Sequence, residues 1–199
     1  MAETLSDPLV VMALEVESQG LFERAGVPVL FTGLGKVNAT FALTRRLAEY
    51  RCVGRRLPQV INFGTAGSRR FPTGAIVACH TFVQRDMDVS AMGFERGATP
   101  FEDVPARLEF PVTFAALPSA ICGTADSFET GDSANVSDIV DMEGYALAKV
   151  CWRERARFAC AKFVTDGADH AAASSWQSSL PRAAAEFLAL YQALIAARG

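Results

Sequence analysis

No apolar run in this 199-residue sequence reaches the roughly 18 residues that a membrane-spanning helix needs. The five cysteines, Cys52, Cys79, Cys122, Cys151 and Cys160, are odd in number and contain no Cys-x-x-Cys pair. A disulfide framework and a cysteine zinc site are therefore not expected, and reduced thiols are. The only histidines, His80 and His170, lie far apart without metal-ligand spacing. The chain lacks a Gly-x-Ser-x-Gly elbow and a Ser-His-Asp order. Basic runs are missing too. Arg45–Arg46, Arg55–Arg56 and Arg69–Arg70 are isolated pairs in a chain of net charge −3, which argues against a nucleic-acid partner. The first eight residues form a polar tail with no basic segment ahead of an apolar stretch, so a secretory leader is not expected and a cytoplasmic location is.

Half of the residues are hydrophobic and 21% are charged, the balance of a packed globule. The length suits one domain spanning 1–199, able to bury roughly 70% of its unfolded surface. Short apolar runs at Leu9–Leu14, Val27–Thr32, Pro58–Phe63, Ala75–Val83 and Phe158–Val164 read as strands, with weaker candidates at Val112–Ala116 and Ala120–Ala125. Helical spacing marks Lys36–Tyr50, Glu143–Trp152 and Arg182–Ala197, whereas Glu95–Leu108 and Gly131–Ser137 read as loops. Strands alternating with helices predict an α/β domain with helices on the faces of one sheet.

Three carboxylates stand where such folds bind ligands, at the ends of apolar runs. Glu17 follows the first, Glu143 lies at a strand-to-helix junction, and Asp166 follows the run ending at Val164. Carboxylates in different environments hold different proton states at one pH, which suits acid/base chemistry. Helix capping explains any one of them equally well. In Asn62-Phe63-Gly64-Thr65-Ala66-Gly67-Ser68 the glycines would let backbone N–H groups approach a polar ligand, or simply form a tight turn.

Taken together, six segments resemble one family, the 5′-methylthioadenosine/S-adenosylhomocysteine nucleosidases of the purine nucleoside and uridine phosphorylase superfamily. Ala13-Leu14-Glu15-Val16-Glu17 resembles their Ala-Met-Glu-Glu-Glu, and Gly33-Leu34-Gly35-Lys36-Val37 their Gly-Ile-Gly-Lys-Val. Val60 to Gly67 resembles Ile-Ile-Asn-Thr-Gly-Ser-Ala-Gly, and Arg85 to Phe94 resembles His-Asp-Ala-Asp-Val-Thr-Ala-Phe-Gly-Tyr. Asp141-Met142-Glu143 resembles Glu-Met-Glu, and Thr165-Asp166-Gly167-Ala168-Asp169 resembles Ser-Asp-x-Ala-Asp. The expected architecture is a single α/β domain with a central mixed, strongly curved sheet flanked by helices.

The resemblance implies cleavage of the N-glycosidic bond of a purine nucleoside, with no cofactor or metal. It makes Asp166 the acid that protonates the departing base at N7, and Glu17 the group that positions and deprotonates water. Glu143 would hold the ribose hydroxyls with Met142 against the sugar. Thr65, Ala66 and Gly67 would lie near sugar and water, and Phe128, followed by Glu129, would stack on the base. Met92 and Phe94 match residues that a partner subunit lends to the 5′ pocket, which implies a homodimer.

Two acids beside the first strand would repel phosphate, and the arginine that precedes the glycine turn in the hexameric phosphorylases is replaced by Asn62-Phe63. Hydrolysis is therefore preferred over phosphorolysis, or over nucleoside binding without turnover. Departures from the pattern are Lys162 in place of arginine, Glu129 in place of an apolar residue, the changed 5′ pair Met92 and Phe94, and a shortening between Pro105 and Ala120, where a helix would otherwise stand.

Overall fold

A computed structural model describes residues 7–127, 137–166 and 172–198, with only the main-chain path given for 172–175. The strands are β1 (Leu9–Met12), β2 (Val29–Phe31), β3 (Val60–Gly67), β4 (Ile76–Gln84), β5 (Arg107–Glu109), β6 (Ser119–Thr124), β7 (Ile139–Asp141) and β8 (Phe158–Asp166). The helices are α1 (Glu15–Ser18), α2 (Leu21–Arg24), α3 (Lys36–Cys52), α4 (Gly144–Glu154) and α5 (Ala172–Ala196). One mixed sheet holds all eight strands in the order β2-β1-β3-β7-β6-β4-β5, and β8 pairs with both β3 and β4. Strands β3, β7, β6, β4 and β8 thus close on themselves, the limiting case of a strongly curved sheet.

Alternation along the strands sorts the core into two faces. Leu9, Val11, Val60, Val77 and Cys160 pack with Ala39, Leu43 and Leu47 of α3 and with Leu147, Ala148 and Cys151 of α4. Their neighbours Val10, Met12, Ile61, Phe63, Ala161 and Phe163 turn the other way, onto Phe22 of α2 and Ala183, Phe187 and Tyr191 of α5. Phe63 stacks on Phe187 with ring centroids 5.1 Å apart. All nine residues of β8 are buried, as befits a strand paired on both edges and covered on both faces.

Several sequence expectations shift. Gly64 does not end the third strand. It continues to Gly67 because β8 runs parallel to it from Val60 onward, absorbing the irregularity as a register slip at Ala66/Gly67. Val112–Ala116 is not a strand, and the shortened region between β5 and β6 contains no helix. The closing helix begins at Ala172 rather than Arg182 and runs through Pro181. Proline removes one intrahelical hydrogen bond. Burial of Leu180 in the turn before it offsets that loss and carries Trp176 to the sheet. β7 is only three residues long, and the sequence shows it solely as the lead-in to Glu143.

Candidate active site

Strands β1, β3 and β8 run parallel, so their carboxyl ends open on one side of the sheet. Ligands in α/β sheets collect at that edge. There a cavity of about 240 Å³ is lined by Glu17, Thr65, Ala66, Gly67, Met142, Glu143, Lys162 and Asp166, all of them marked in the sequence. Leu34, Arg85 and Trp176 also line it; the first two lie within the resembling segments Gly33 to Val37 and Arg85 to Phe94 without an assigned role, and no local signal marks Trp176. Met92 is exposed beyond it and Phe94 packs edge-on against Phe101, so neither lines the cavity of its own chain. Phe128 and Glu129 lie outside the described residues.

Glu17 is buried on α1, the single turn after β1. Its Oε2 accepts the Ala13 and Leu14 N–H groups, each at 3.1 Å. That is a capping contact at the start of the turn. Its Oε1 accepts the Thr65 N–H at 3.1 Å and the Thr65 hydroxyl at 3.2 Å. One carboxylate therefore caps its own helix and faces the cavity, so the two roles that the sequence left open coexist. The indole Nε1 of Trp176 donates to Thr65 Oγ1 at 2.9 Å and fixes that hydroxyl.

Glu143 precedes α4 without capping it. Its Oε1 instead accepts the Gly35 N–H, at 2.8 Å, at the start of α3. Gly35 has φ +88°, and a Cβ there would stand 3.0 Å from Asp126 Oδ1, so only glycine brings this amide so close. Burial pushes the Glu143 carboxyl up to about 7, helped by the neighbouring negative charge of Asp141 and opposed by Lys162 and by the Gly35 N–H. The ionised form is thus poised to appear near neutrality.

Asp166, the last residue of β8, is buried. The Thr165 hydroxyl donates to its Oδ2 at 2.7 Å, and its carbonyl accepts the Ser68 N–H at 3.0 Å. Lys162, four residues earlier on the same strand, forms a buried ion pair with Asp141 at 2.9 Å. Burial works against the Lys162 charge, but Asp141 outweighs it and the ammonium's pKa is held well above its ordinary value. Burial likewise works against the Asp141 carboxylate, yet Lys162 and the Thr124 hydroxyl hold its pKa below the usual range. Among the described residues, no group of three or more His, Cys, Asp or Glu side chains is arranged to hold a metal ion.

The cavity thus gathers three carboxylates of unlike surroundings around a space that an uncharged polar ring system could enter. No protein-family model matches the chain. The 5′-methylthioadenosine/S-adenosylhomocysteine nucleosidase of Marinomonas sp. (strain MWYL1) is 29% identical over 83% of this chain and 78% of its own length. That of Haemophilus influenzae (strain 86-028NP) is 28% identical over 92% of this chain and 86% of its own. Among solved structures, the Helicobacter pylori nucleosidase with butyl-thio-DADMe-Immucillin-A superposes with a TM-score of 0.82 at 19% identity, covering 97% of this chain and 99% of that one. The Helicobacter pylori futalosine hydrolase superposes with a TM-score of 0.79 at 20% identity, covering 96% and 98%. The fold is theirs, and the chain is similar to the curated nucleosidases, at 28–29% identity, over most of its length.

Proposed function

We propose that the protein hydrolyses the N-glycosidic bond of a purine nucleoside carrying a modified 5′ position, of the methylthioadenosine or adenosylhomocysteine type. The observation that carries this reading is Glu17, a buried carboxylate held by three backbone N–H groups and one hydroxyl at the cavity wall. Such a group orients and deprotonates a water molecule but repels a phosphate anion. Among the described lining residues the cations are Lys162 and Arg85, and Lys162 is already neutralised by Asp141.

In this mechanism Asp166 gives its proton to N7 of the purine as the bond to the sugar lengthens. The ribosyl carbon gains oxocarbenium character, which the charges of Glu17 and Glu143 favour. Glu143, with Met142 beside it, accepts the ribose hydroxyls. Water held near Glu17 and Thr65 attacks the ribosyl carbon, its proton passes to Glu17, and free base and free sugar result. Ala66 and Gly67 shape the floor below the sugar, while Phe128 and Glu129 are assigned to the base. No helix among the described residues is long and apolar enough to cross a membrane, and none of the five cysteines is bridged. A cytoplasmic enzyme is consistent with both.

A homodimer is part of the same proposal. Val37 and Phe41, one turn apart on α3, are 78% and 69% exposed, and Met92 and Phe101 are 66% and 92% exposed. Apolar side chains so displayed suit a second copy that would receive Met92 and Phe94 at the 5′ end of its cavity.

Base release is to be measured on methylthioadenosine, adenosylhomocysteine, adenosine, inosine and futalosine, with and without orthophosphate. Free base and free sugar without phosphate are expected. Strict phosphate dependence would make it a phosphorylase, and tight nucleoside binding without release would make it a binding protein.

A further inference from the structure

The proposed reaction uses Glu17, Glu143 and Asp166 and leaves the buried Lys162–Asp141 pair without a task. Stability alone is a poor reason to keep it. Desolvating two ions costs several kcal/mol each, and well-packed apolar residues of similar volume are often as stable. The pair's contacts point elsewhere. Asp141 Oδ1 accepts the Thr124 hydroxyl at 2.5 Å, and its Oδ2 accepts the Gly144 N–H at 2.8 Å and Lys162 Nζ at 2.9 Å. Thr124 Oγ1 in turn accepts the Tyr145 N–H at 2.8 Å. One carboxylate, with its hydroxyl partner, thereby satisfies the first two N–H groups of α4, which Glu143 itself does not cap.

The other end of the pair reaches the opposite wall. Lys162 Nζ and Glu17 Oε1 lie 3.1 and 3.5 Å from the point where a Gly64 side chain would begin. The ammonium therefore sits beside the carboxylate assigned to water, while its counter-ion anchors the helix start that presents the carboxylate assigned to the sugar.

We propose that Asp141 is the positioning residue of this cavity, holding Lys162 beside Glu17 and the start of α4 behind Glu143 as one rigid unit. It keeps the nucleophile side and the sugar side at a fixed separation, acting through Lys162 and the start of α4. This rests on the hydrolytic reading above, and the test separates the two.

Asp141→Asn keeps the shape and removes the charge. Its first readout is turnover, where kcat is expected to fall about 10²-fold, the usual consequence of a small misplacement of reacting groups. The second readout needs no turnover. Because the Gly35 N–H donates to Glu143 Oε1, the Gly35 amide chemical shift reports the ionisation of Glu143. The groups that act most on Glu143 are Asp141 on β7, Lys162 on β8 and Glu17 on α1, together with the Gly35 N–H at the start of α3, and Asp166 on β8 and Arg85 after β4 line the same cavity. With Asp141 neutral, Lys162 acts unopposed and the midpoint near 7 should drop by about one pH unit. If the native protein releases no base, the titration still decides the positioning claim.

A poorly folding Asp141→Asn is covered by the double variant Asp141→Asn/Lys162→Met, which carries no unpaired buried charge. It should regain the native melting temperature yet keep the lowered kcat, while its Gly35 midpoint returns towards the native one because the opposing charges of Asp141 and Lys162 are both gone. Near-native kcat together with an unmoved Gly35 midpoint in Asp141→Asn, or full turnover in the double variant, would overturn the proposal.

Discussion

Glu17 and Thr65, 48 positions apart, are joined by two hydrogen bonds to one oxygen, the Thr65 N–H and hydroxyl both donating to Glu17 Oε1. The Trp176 indole supplies the third member by donating to the same hydroxyl. Thr65→Val keeps the shape and removes one hydrogen bond to a charged group. It should lower kcat about 10–100-fold, in line with roughly 1.5–3 kcal/mol for such a bond. Trp176→Phe should act in the same direction and more weakly. Steady-state kinetics with parallel thermal melts decide it, and unchanged kcat in Thr65→Val would detach this hydroxyl from water positioning.

Asp166→Asn should lower turnover by about 10²–10⁴-fold while leaving nucleoside affinity within a few-fold. Calorimetric titration with a nucleoside and single-turnover base release measure the two quantities separately. Equal losses in both would make Asp166 a binding residue.

Glu143, with its carboxyl raised to about 7 by burial and by Asp141, gives two pH effects of opposite sign. The native state holds the proton that the unfolded chain releases nearer pH 4.5, so this group's contribution to stability falls as pH rises from there to about 7. Binding of ribose hydroxyls needs the carboxylate, so kcat/KM should climb over the upper part of that window. Glu143→Gln should flatten the limb. Glu143→Ala should harm ribosides more than 2′-deoxyribosides, and an equal loss on both would remove the contact to the 2′-hydroxyl.

Gly64→Ala tests how tightly the cavity floor is built. The added methyl would meet Lys162 Nζ at 3.1 Å, closer than ordinary packing, and Glu17 Oε1 at 3.5 Å. A stability loss of about 1–3 kcal/mol is expected from overpacking, with a larger proportional loss of kcat than of affinity. Chemical denaturation and kinetics on the same preparation distinguish the two effects.

Local pattern alone determined a good deal of this protein. Apolar runs of strand length placed β1, β2, β4 and β8 to within a few residues, because each buries a row of side chains that must be apolar. The same pattern singled out Glu17, Glu143 and Asp166 only as candidates, which capping explained as well, and it was the resemblance of the surrounding segments that gave them roles. Gly64 of β3 misled, because a backbone able to bend stays extended when β8 supplies hydrogen bonds along it. β7 was invisible at three residues, too short for any period to register. Only the closed sheet decided that Asp141 and Lys162 meet, and that Gly35 rather than α4 holds Glu143. It also carried Trp176, on the part of α5 that precedes Pro181, to Thr65. These contacts span tens of residues and cost desolvation that a local window cannot sense; they exist because the fold brings their partners together where water is excluded.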